Sequence, residues 1–268
     1  MNNLFKKTLI LSSIIVLFST EQKLFAQNDT VRLKDKRLNT SALKAGLNQY
    51  LVYFQAVNSP KKLGFWFWLR DIRLTTRNGS KVFAITQHWY GPDTAQYRMI
   101  YSVNNENDFS PVYHSETSAG KIKAYNWLNT GISAADTVAN NAAKNFKLDF
   151  SEPNFNWNLD IETFETLPLG PGKIFAINFY DAGLDPPAYV IYKVIGTEVL
   201  TTFNGQKEDC WKLFTENTYK GKKYTETYWI SKKGHEFLKE EDVYSWGYRY
   251  KIKMPAGAPD ILSRFNHN

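Results

Sequence analysis

Residues 195–254 read IGTEVLTTFNGQKEDCWKLFTENTYKGKKYTETYWISKKGHEFLKEEDVYSWGYRYKIKM. In this stretch, short runs that alternate apolar and polar residues are separated by Asn204-Gly205, Lys220-Gly221 and Lys233-Gly234. Such period-two runs between glycine-bearing turns are typical of antiparallel strands joined by hairpins. Asn-Gly also tolerates the positive φ angles that a two-residue turn requires. The stretch therefore predicts an antiparallel meander.

The same pattern extends toward the N-terminus. Strand-like runs begin at Leu47 and recur, with glycine and proline turns between them, as far as residue 194. Residues 104–118 are polar and turn-rich, and residues 134–143 are expected to form a loop or a short helical turn. These spacings predict one all-β domain over residues 46–255. The strands are expected near residues 50–54, 65–74, 82–90, 97–103, 121–127, 146–150, 174–180 and 189–194.

One segment has a helical pattern instead. Leu159, Ile161, Phe164 and Leu167 are separated by acidic residues, and proline follows them. This spacing predicts a short amphipathic helix over residues 158–167. Asn158 is expected to be its N-cap, because an asparagine side chain can accept the free N–H groups of a first helical turn.

The N-terminal residues predict export. Lys6 and Lys7 precede an apolar run over residues 9–18, and the small residue Ala26 suits a cleavage site. These are the parts of a secretory signal peptide, and the run is too short to span about 30 Å of hydrocarbon. The single cysteine, Cys210, lies far from the signal, so neither a lipid anchor nor an internal disulfide is expected. We expect a periplasmic protein with a signal peptide (1–26), a flexible leader (27–45), the domain, and a tail (256–268).

Several short motifs occur in a recognisable order from residue 167 onward. They are Leu167-Pro168-Leu169 with Gly172, YKVIGTE at 192–198, Cys210-Trp211-Lys212, Tyr228-Trp229-Ile230-Ser231 and Leu238-Lys239. This order resembles a family of exported bacterial domains of unknown function, which is grouped with the periplasmic lipoprotein carriers of the LolA/LolB type. Over about residues 50–254, the resemblance implies a strongly curved antiparallel meander, an incomplete β-barrel closed on its concave side by a short helix. In the carriers that concave face shelters acyl chains. The resemblance brings no catalytic residues.

Most catalytic and cofactor signatures are missing from the sequence. The four histidines form no metal-binding i, i+4 pair, a single thiol rules out multi-cysteine metal sites, and no G-x-S-x-G motif occurs. The net charge of +7 is spread along the chain, whereas nucleic-acid binding favours clustered basic residues. We therefore expect no catalysis, no metal, no cofactor and no nucleic-acid partner.

Carboxylates leave one enzymatic alternative open. Glu165 lies in the predicted helix with Asp160 and Glu162, and Glu240-Glu241-Asp242 is expected to form a solvated hairpin rim. Two carboxylates flanking an aromatic cleft could hydrolyse glycans. A glycan-active hydrolase is thus the less favoured alternative.

Aromatic residues are the main positive signal. They make up 16% of the chain and include eight tryptophans. A curved sheet with an aromatic concave face predicts a binding or carrier protein that holds an acyl or similarly apolar ligand in a half-open barrel. A protein-interaction module of the cell envelope, without a small ligand, is the alternative. The candidate groove residues are Trp66, Trp68, Phe83, Trp89, Trp211 and Trp229, with Arg70 and Arg73 at the rim to orient a headgroup.

Overall fold

The computed structural model describes residues 28–32, 35, 37–255 and 261. Within them, sixteen strands and one α-helix alternate with short turns. The helix is α1 (Asp160–Thr166). The strands are β1 (Asn28–Val31), β2 (Gly46–Ala56), β3 (Leu63–Arg77), β4 (Ser80–Tyr90), β5 (Arg98–Asn105), β6 (Pro111–Ser118), β7 (Lys121–Leu128), β8 (Gly131–Ala134), β9 (Lys147–Asp149), β10 (Phe155–Asn156), β11 (Ile174–Tyr180), β12 (Ala188–Thr201), β13 (Lys207–Tyr219), β14 (Lys222–Ser231), β15 (Phe237–Tyr244) and β16 (Gly247–Lys253).

All strands belong to one sheet. One antiparallel meander runs from β2 to β9 and another from β11 to β16, and the antiparallel pair β16–β2 joins them. At the far edge, β1 and β10 both pair with β11 in parallel. The sheet curls strongly but is not closed into a barrel by hydrogen bonds. The predicted all-β class and incomplete barrel are confirmed.

Helix α1 fills the concave side of the curled sheet. Leu159, Ile161, Phe164 and Leu167 are all almost fully buried, as their spacing predicts. The ring of Phe164 lies 4.7 Å from that of Tyr228 on β14. Apolar residues from both meanders pack around these side chains and form the main core. The sheet therefore encloses the helix.

The start of this helix differs from the prediction. A single 3-10 turn over residues 157–159 precedes α1, and the side chain of Asn156 caps that turn by accepting the N–H of Asn158 at 3.0 Å. The prediction that Asn158 is the N-cap is wrong, because the side chain of Asn158 donates to Asp181 Oδ1 at 2.9 Å instead. The segment is thus fixed to the sheet on both sides before the helix begins.

Two stretches that were expected to be irregular are ordered. The polar, turn-rich residues 104–118, where no strand was expected, contain β6, whose polar residues His114 and Ser115 are buried. Burial of polar residues removes the usual alternation that marks a strand. In the predicted flexible leader, residues 28–31 form β1, and Leu38 and Leu43 are buried against the core. The signal peptide lies outside the described residues.

Side chains join the two ends of the sheet where backbone pairing does not. Tyr180, at the end of β11, lies 5.5 Å from the ring of Trp127 on β7 and 5.4 Å from that of Phe150. These residues belong to a second apolar cluster, separate from the main core. None of the helices in the described part of the chain has the length and apolar character needed to cross a bilayer.

Candidate functional site at the mouth of the half-barrel

A layer of charged side chains lies on the concave face beside the main core. Tyr228, a core residue of β14, is paired in register with Glu240 on β15, and Glu240 is paired with Lys251 on β16. The next inward-facing row consists of Glu226, Asp242 and Arg249. Inward positions alternate along a strand, so Glu226 and Tyr228 share a face, as do Glu240 and Asp242. We call these five charged residues the charge layer: Glu226, Glu240, Asp242, Arg249 and Lys251.

The predicted solvated rim at 240–242 is therefore wrong. Glu240 and Asp242 are 1% and 0% exposed. Arg249 donates to both carboxylates, and Lys251 donates to Glu240. Residues 240–242 lie in the middle of β15, where alternation along the strand points Glu240 and Asp242 inward. Arg249 and Lys251 on β16 pair with these two carboxylates.

Tyrosine hydroxyl groups complete this network. Tyr228 Oη donates to Glu226 Oε2 at 2.9 Å, and Tyr244 Oη donates to Asp242 Oδ2 at 3.2 Å. One oxygen from each of the three carboxylates lies within 4.8 Å of the others. Oxygen ligands at such spacing suit a hard cation, but Arg249 and Lys251 already supply positive charge here. The layer is therefore a network of ion pairs with one more acid than base.

Crowding of the three acids separates their pKa values. Burial, then the nearby Glu240, raises the pKa of Asp242 to about 9. The same two causes raise the pKa of Glu226 to about 7. Burial also disfavours the charge on Glu240, but Lys251 and Arg249 outweigh it and lower the pKa of Glu240 to about 2. Among these three acids, Glu240 therefore favours the ionised form, whereas Asp242 and Glu226 are shifted toward the protonated form.

A pocket of about 490 Å³ lies directly beyond the charge layer. We call it the mouth pocket. It is open between the β13–β14 and β15–β16 turns, and Glu226 is the member of the charge layer that lines it. The other lining residues are Tyr219, Lys220, Lys222, Lys223, Tyr224, Tyr244, Ser245 and Trp246.

Its aromatic wall is a column of stacked rings. Tyr224 lies 5.6 Å from Tyr244, Tyr244 lies 5.0 Å from Trp246, and Trp246 lies 6.4 Å from Phe54 on β2. Trp246 is 48% exposed and Tyr219 is 66% exposed. Aromatic side chains that remain this exposed beside a pocket are typical of binding surfaces.

A smaller pocket of about 200 Å³ lies at the opposite end of the barrel. Its lining includes Glu165 of α1, whose Oε1 accepts the N–H of Phe237 at 2.8 Å. Burial raises the pKa of Glu165 to about 7. The neighbouring Glu236 is bound by Lys44 and Lys253, at 2.9 and 3.1 Å. The charged groups of this pocket thus already satisfy one another.

The structure divides the eight sequence-predicted groove residues among three places, and none of them lines the mouth pocket. The rings of Trp68 and Trp89 are stacked at 4.0 Å on the concave side. Trp229 lies on the outer face, between Lys212 and Lys239. Five of the predicted groove residues lie in the main core or pack against it: Trp66, Trp68, Phe83, Trp89 and Trp211.

The two predicted rim arginines also have different surroundings. Arg70 is buried, and its Nη1 lies 2.5 Å from Glu162 Oε2 on α1. Arg73 is exposed and paired with Asp71 at 2.7 Å. Arg70 therefore binds the helix, and Arg73 lies at the surface.

Sequence reasoning missed the residues of the mouth pocket, although a signal was present. Tyr224, Glu226 and Tyr228 alternate along one strand, and Glu240, Asp242 and Tyr244 alternate along the next. Strict alternation would have placed each trio on a single face. The acid run at 240–242 was instead interpreted by its charge alone.

Two other groups with reactive side chains are buried. His114, Ser102 and Asn156 form a hydrogen-bonded trio, but all three are at most 1% exposed. Burial lowers the pKa of His114 to about 4. Burial also raises the pKa of the Cys210 thiol to about 11, so the reactive thiolate is scarce at neutral pH.

A family model described as "Protein of unknown function (DUF3108)" matches residues 49–258, most of the chain. The chain belongs to the DUF3108 family. The match covers the curled sheet except β1 and the first three residues of β2, and it includes the charge layer and the mouth pocket. No curated protein matches the sequence.

Two solved structures resemble this DUF3108 protein. The first is a β-barrel-like protein of the DUF1849 domain family from Brucella abortus, with 8% identity and a TM-score of 0.48; the alignment covers 79% of this chain and 98% of that one. The second is a protein with a YmcC-like fold from Bacteroides fragilis, with 11% identity and a TM-score of 0.36; the alignment covers 78% and 94%.

Proposed function

We propose that this DUF3108 protein is a binding protein that holds an amphiphile in its mouth pocket without catalysis. The ligand has an apolar, acyl-like body and an anionic head. The observation that carries the proposal is the pocket itself, which combines an aromatic wall with exposed lysines at its opening. Its volume is within the range of about 300–1,000 Å³ that small-molecule sites occupy.

Each part of the ligand has a counterpart in the pocket. The rings of Tyr224, Tyr244 and Trp246 offer apolar surface to the body, and the ammonium groups of Lys220 and Lys222 can pair with the anionic head. Burial of the body contributes about 0.8 kcal/mol for each CH₂ group. The carrier role and periplasmic location implied by the resemblance to the LolA/LolB type belong to the same proposal.

Binding without catalysis is supported by the burial and the hydrogen-bond partners of the acidic side chains in the charge layer. Glycoside hydrolysis needs two carboxyl groups that reach the substrate. Here Glu240 and Asp242 are buried and bonded to Arg249, which leaves Glu226 as the acid of the charge layer that lines the pocket. A single carboxyl group in the pocket wall suits hydrogen bonding to a ligand.

The test is titration of residues 27–268 with a fluorescently labelled palmitate. Replacing a buried aromatic anchor typically costs at least about 2 kcal/mol of binding, or about thirtyfold in Kd. We expect Trp246→Ala to weaken binding by that factor and Trp229→Ala, on the outer face, to leave Kd within about twofold. Both variants are first checked by urea unfolding. Equal affinity of Trp246→Ala and the parent would reject the mouth pocket as the site, and the absence of binding by the parent would favour a protein-interaction module.

A further inference from the structure

Three neighbouring hairpin turns lie at the end of the barrel where the mouth pocket opens. They join β13 to β14, β15 to β16 and β2 to β3. Register places them side by side at one end of the barrel, since Gly247 is paired with Ala56, and the N–H of Val57 donates to the carbonyl of Trp246 at 2.9 Å. We call them the mouth turns: residues 219–223, 244–248 and 56–63.

The mouth turns have a distinctive composition. They contain five lysines and no aspartate or glutamate. All five lysines are exposed. One of them, Lys223, pairs with Glu216 on the strand before the turn, at 3.1 Å. The five are Lys61, Lys62, Lys220, Lys222 and Lys223.

Large apolar side chains lie exposed among these lysines. Val57 is 64% exposed, Leu63 41%, and Tyr219 and Trp246 are exposed as described above. Other turns at the same end are different: residues 181–187 and 91–97 contain Asp181, Asp185 and Asp93, and the β6–β7 turn at Ala119-Gly120 has no large apolar side chain. The combination of apolar and basic residues is thus confined to one side of the rim.

We propose that the mouth turns dock on an anionic lipid bilayer, with Val57, Leu63, Tyr219 and Trp246 entering the headgroup region. Exposed apolar and aromatic side chains insert at the lipid–water boundary, and nearby lysines are attracted by anionic headgroups. We choose a bilayer as the partner because of charge complementarity. The charged residues of the mouth turns are all lysines, which are attracted to a negatively charged surface. Docking in this way turns the opening of the mouth pocket toward the bilayer. The inference goes beyond the proposed function, since it requires no bound ligand.

The test is co-sedimentation of residues 27–268 with vesicles containing phosphatidylglycerol and phosphatidylethanolamine, compared with phosphatidylcholine vesicles. We expect binding to the anionic vesicles alone, and at least a tenfold loss of affinity between 50 and 500 mM salt. The variant V57D/K61E/K62E should lose binding. The control F203D/K207E/K233E makes the same change in charge at exposed residues of the opposite end and should retain it.

Each outcome decides the proposal. It is overturned if the parent does not bind anionic vesicles, if it binds both vesicle types equally, or if the two triple variants lose binding equally. The β2–β3 turn does not line the mouth pocket, so V57D/K61E/K62E should still bind labelled palmitate; loss of vesicle binding with palmitate binding intact separates docking from ligand binding. If that variant fails to fold, brominated lipids give a second test. They should quench the fluorescence of the parent and quench Trp246→Phe distinctly less, and equal quenching would overturn the proposal.

Discussion

The guanidinium group of Arg70 on β3 lies 2.5 Å from the carboxylate of Glu162 on α1, in the interior of the curled sheet. Both side chains are at most 2% exposed. Arg70 Nη2 also lies 3.4 Å from the carbonyl of Asn158, which accepts from Gln87 on β4 at 2.7 Å. The first meander is thereby bonded to the helix through charged and polar groups, whereas the second contacts it mainly through aromatic rings.

Loss of Arg70 should be strongly destabilising. Arg70→Met leaves the carboxylate of Glu162 buried without its partner, and breaking such a pair typically costs about 3–5 kcal/mol of the free energy of unfolding. Urea unfolding followed by far-UV circular dichroism measures the change. The matched control, Arg73→Met, removes an exposed arginine of the same strand and should change stability by less than about 0.5 kcal/mol. Comparable losses in the two variants would contradict a special role of the buried pair.

The double variant R70M/E162Q separates charge from packing. It removes both charges while keeping side chains of similar size, and buried pairs replaced in this way often lose little stability. We expect it to be more stable than Arg70→Met alone. A double variant that is no more stable would show that packing around Arg70, rather than its charge, is what matters.

Glu165 should make the protein less stable as the pH rises. Burial raises the pKa of Glu165 from 4.5 to about 7, so the folded state prefers the protonated form. That preference is fully present below pH 4.5 and is lost as the pH rises through 7. Glu165→Gln keeps an oxygen for the N–H of Phe237 and removes the titration. We expect the variant to be more stable than the parent at pH 8 and similar at pH 5, measured by urea unfolding. Glu216→Gln, at an exposed position, is the control and should not alter the pH profile.

His114 should act in the opposite direction. Burial lowers its pKa from 6.5 to about 4, so the folded state prefers the neutral imidazole. The resulting stability is present above pH 6.5 and is lost as the pH falls through about 4. NMR titration of the imidazole resonances should show His114 titrating well below the exposed histidine of a short model peptide. A midpoint near 6.5 would contradict burial within the trio with Ser102 and Asn156.

Cys210 should be chemically inert in the native protein. Its side chain is fully buried in a small cluster with Trp229 and Leu238 on the outer face, and the pKa of the thiol is raised to about 11. Because the thiolate is the reactive form, a thiol reagent such as DTNB should react at pH 8 at least about a hundredfold more slowly than in urea. A fast native reaction would show that this cluster opens.

The turns and the helix were predicted from the sequence, whereas the residues of the site were missed. Lys220 and Gly221 both have positive φ, 48° and 75°, as a two-residue hairpin turn requires. Leu159 and Phe164 are buried as their helical spacing predicts. These features depend on neighbours in the sequence. The partners of Glu240 do not, because Arg249 and Lys251 lie on the next strand and neutralise a charge that alone predicts exposure.

The side of the sheet on which Trp229 lies also could not be predicted from the sequence. Trp229 stands between Tyr228 and Ile230, so its strand is apolar on both faces and the sequence does not say which residue faces inward. In the structure Tyr228 packs against α1, and Trp229 is covered on the outer face by the side chains of Lys212 and Lys239. Long lysine side chains can shield an aromatic ring in this way while their ammonium groups stay in water.

The pairing of β2 with β16 also bears on how the chain is made. Tyr50 of β2 is paired with Lys253 of β16, although the two residues lie near opposite ends of the described chain. During synthesis, β2 therefore remains without this neighbour until β16 has been made. Contacts this distant in sequence slow folding. Until β16 is available, β2 and β15 are both unpaired edges that can recruit strands from other molecules. A chain that ends before Gly247 should therefore aggregate, and a chain that contains β16 should depend on chaperones until that strand is released.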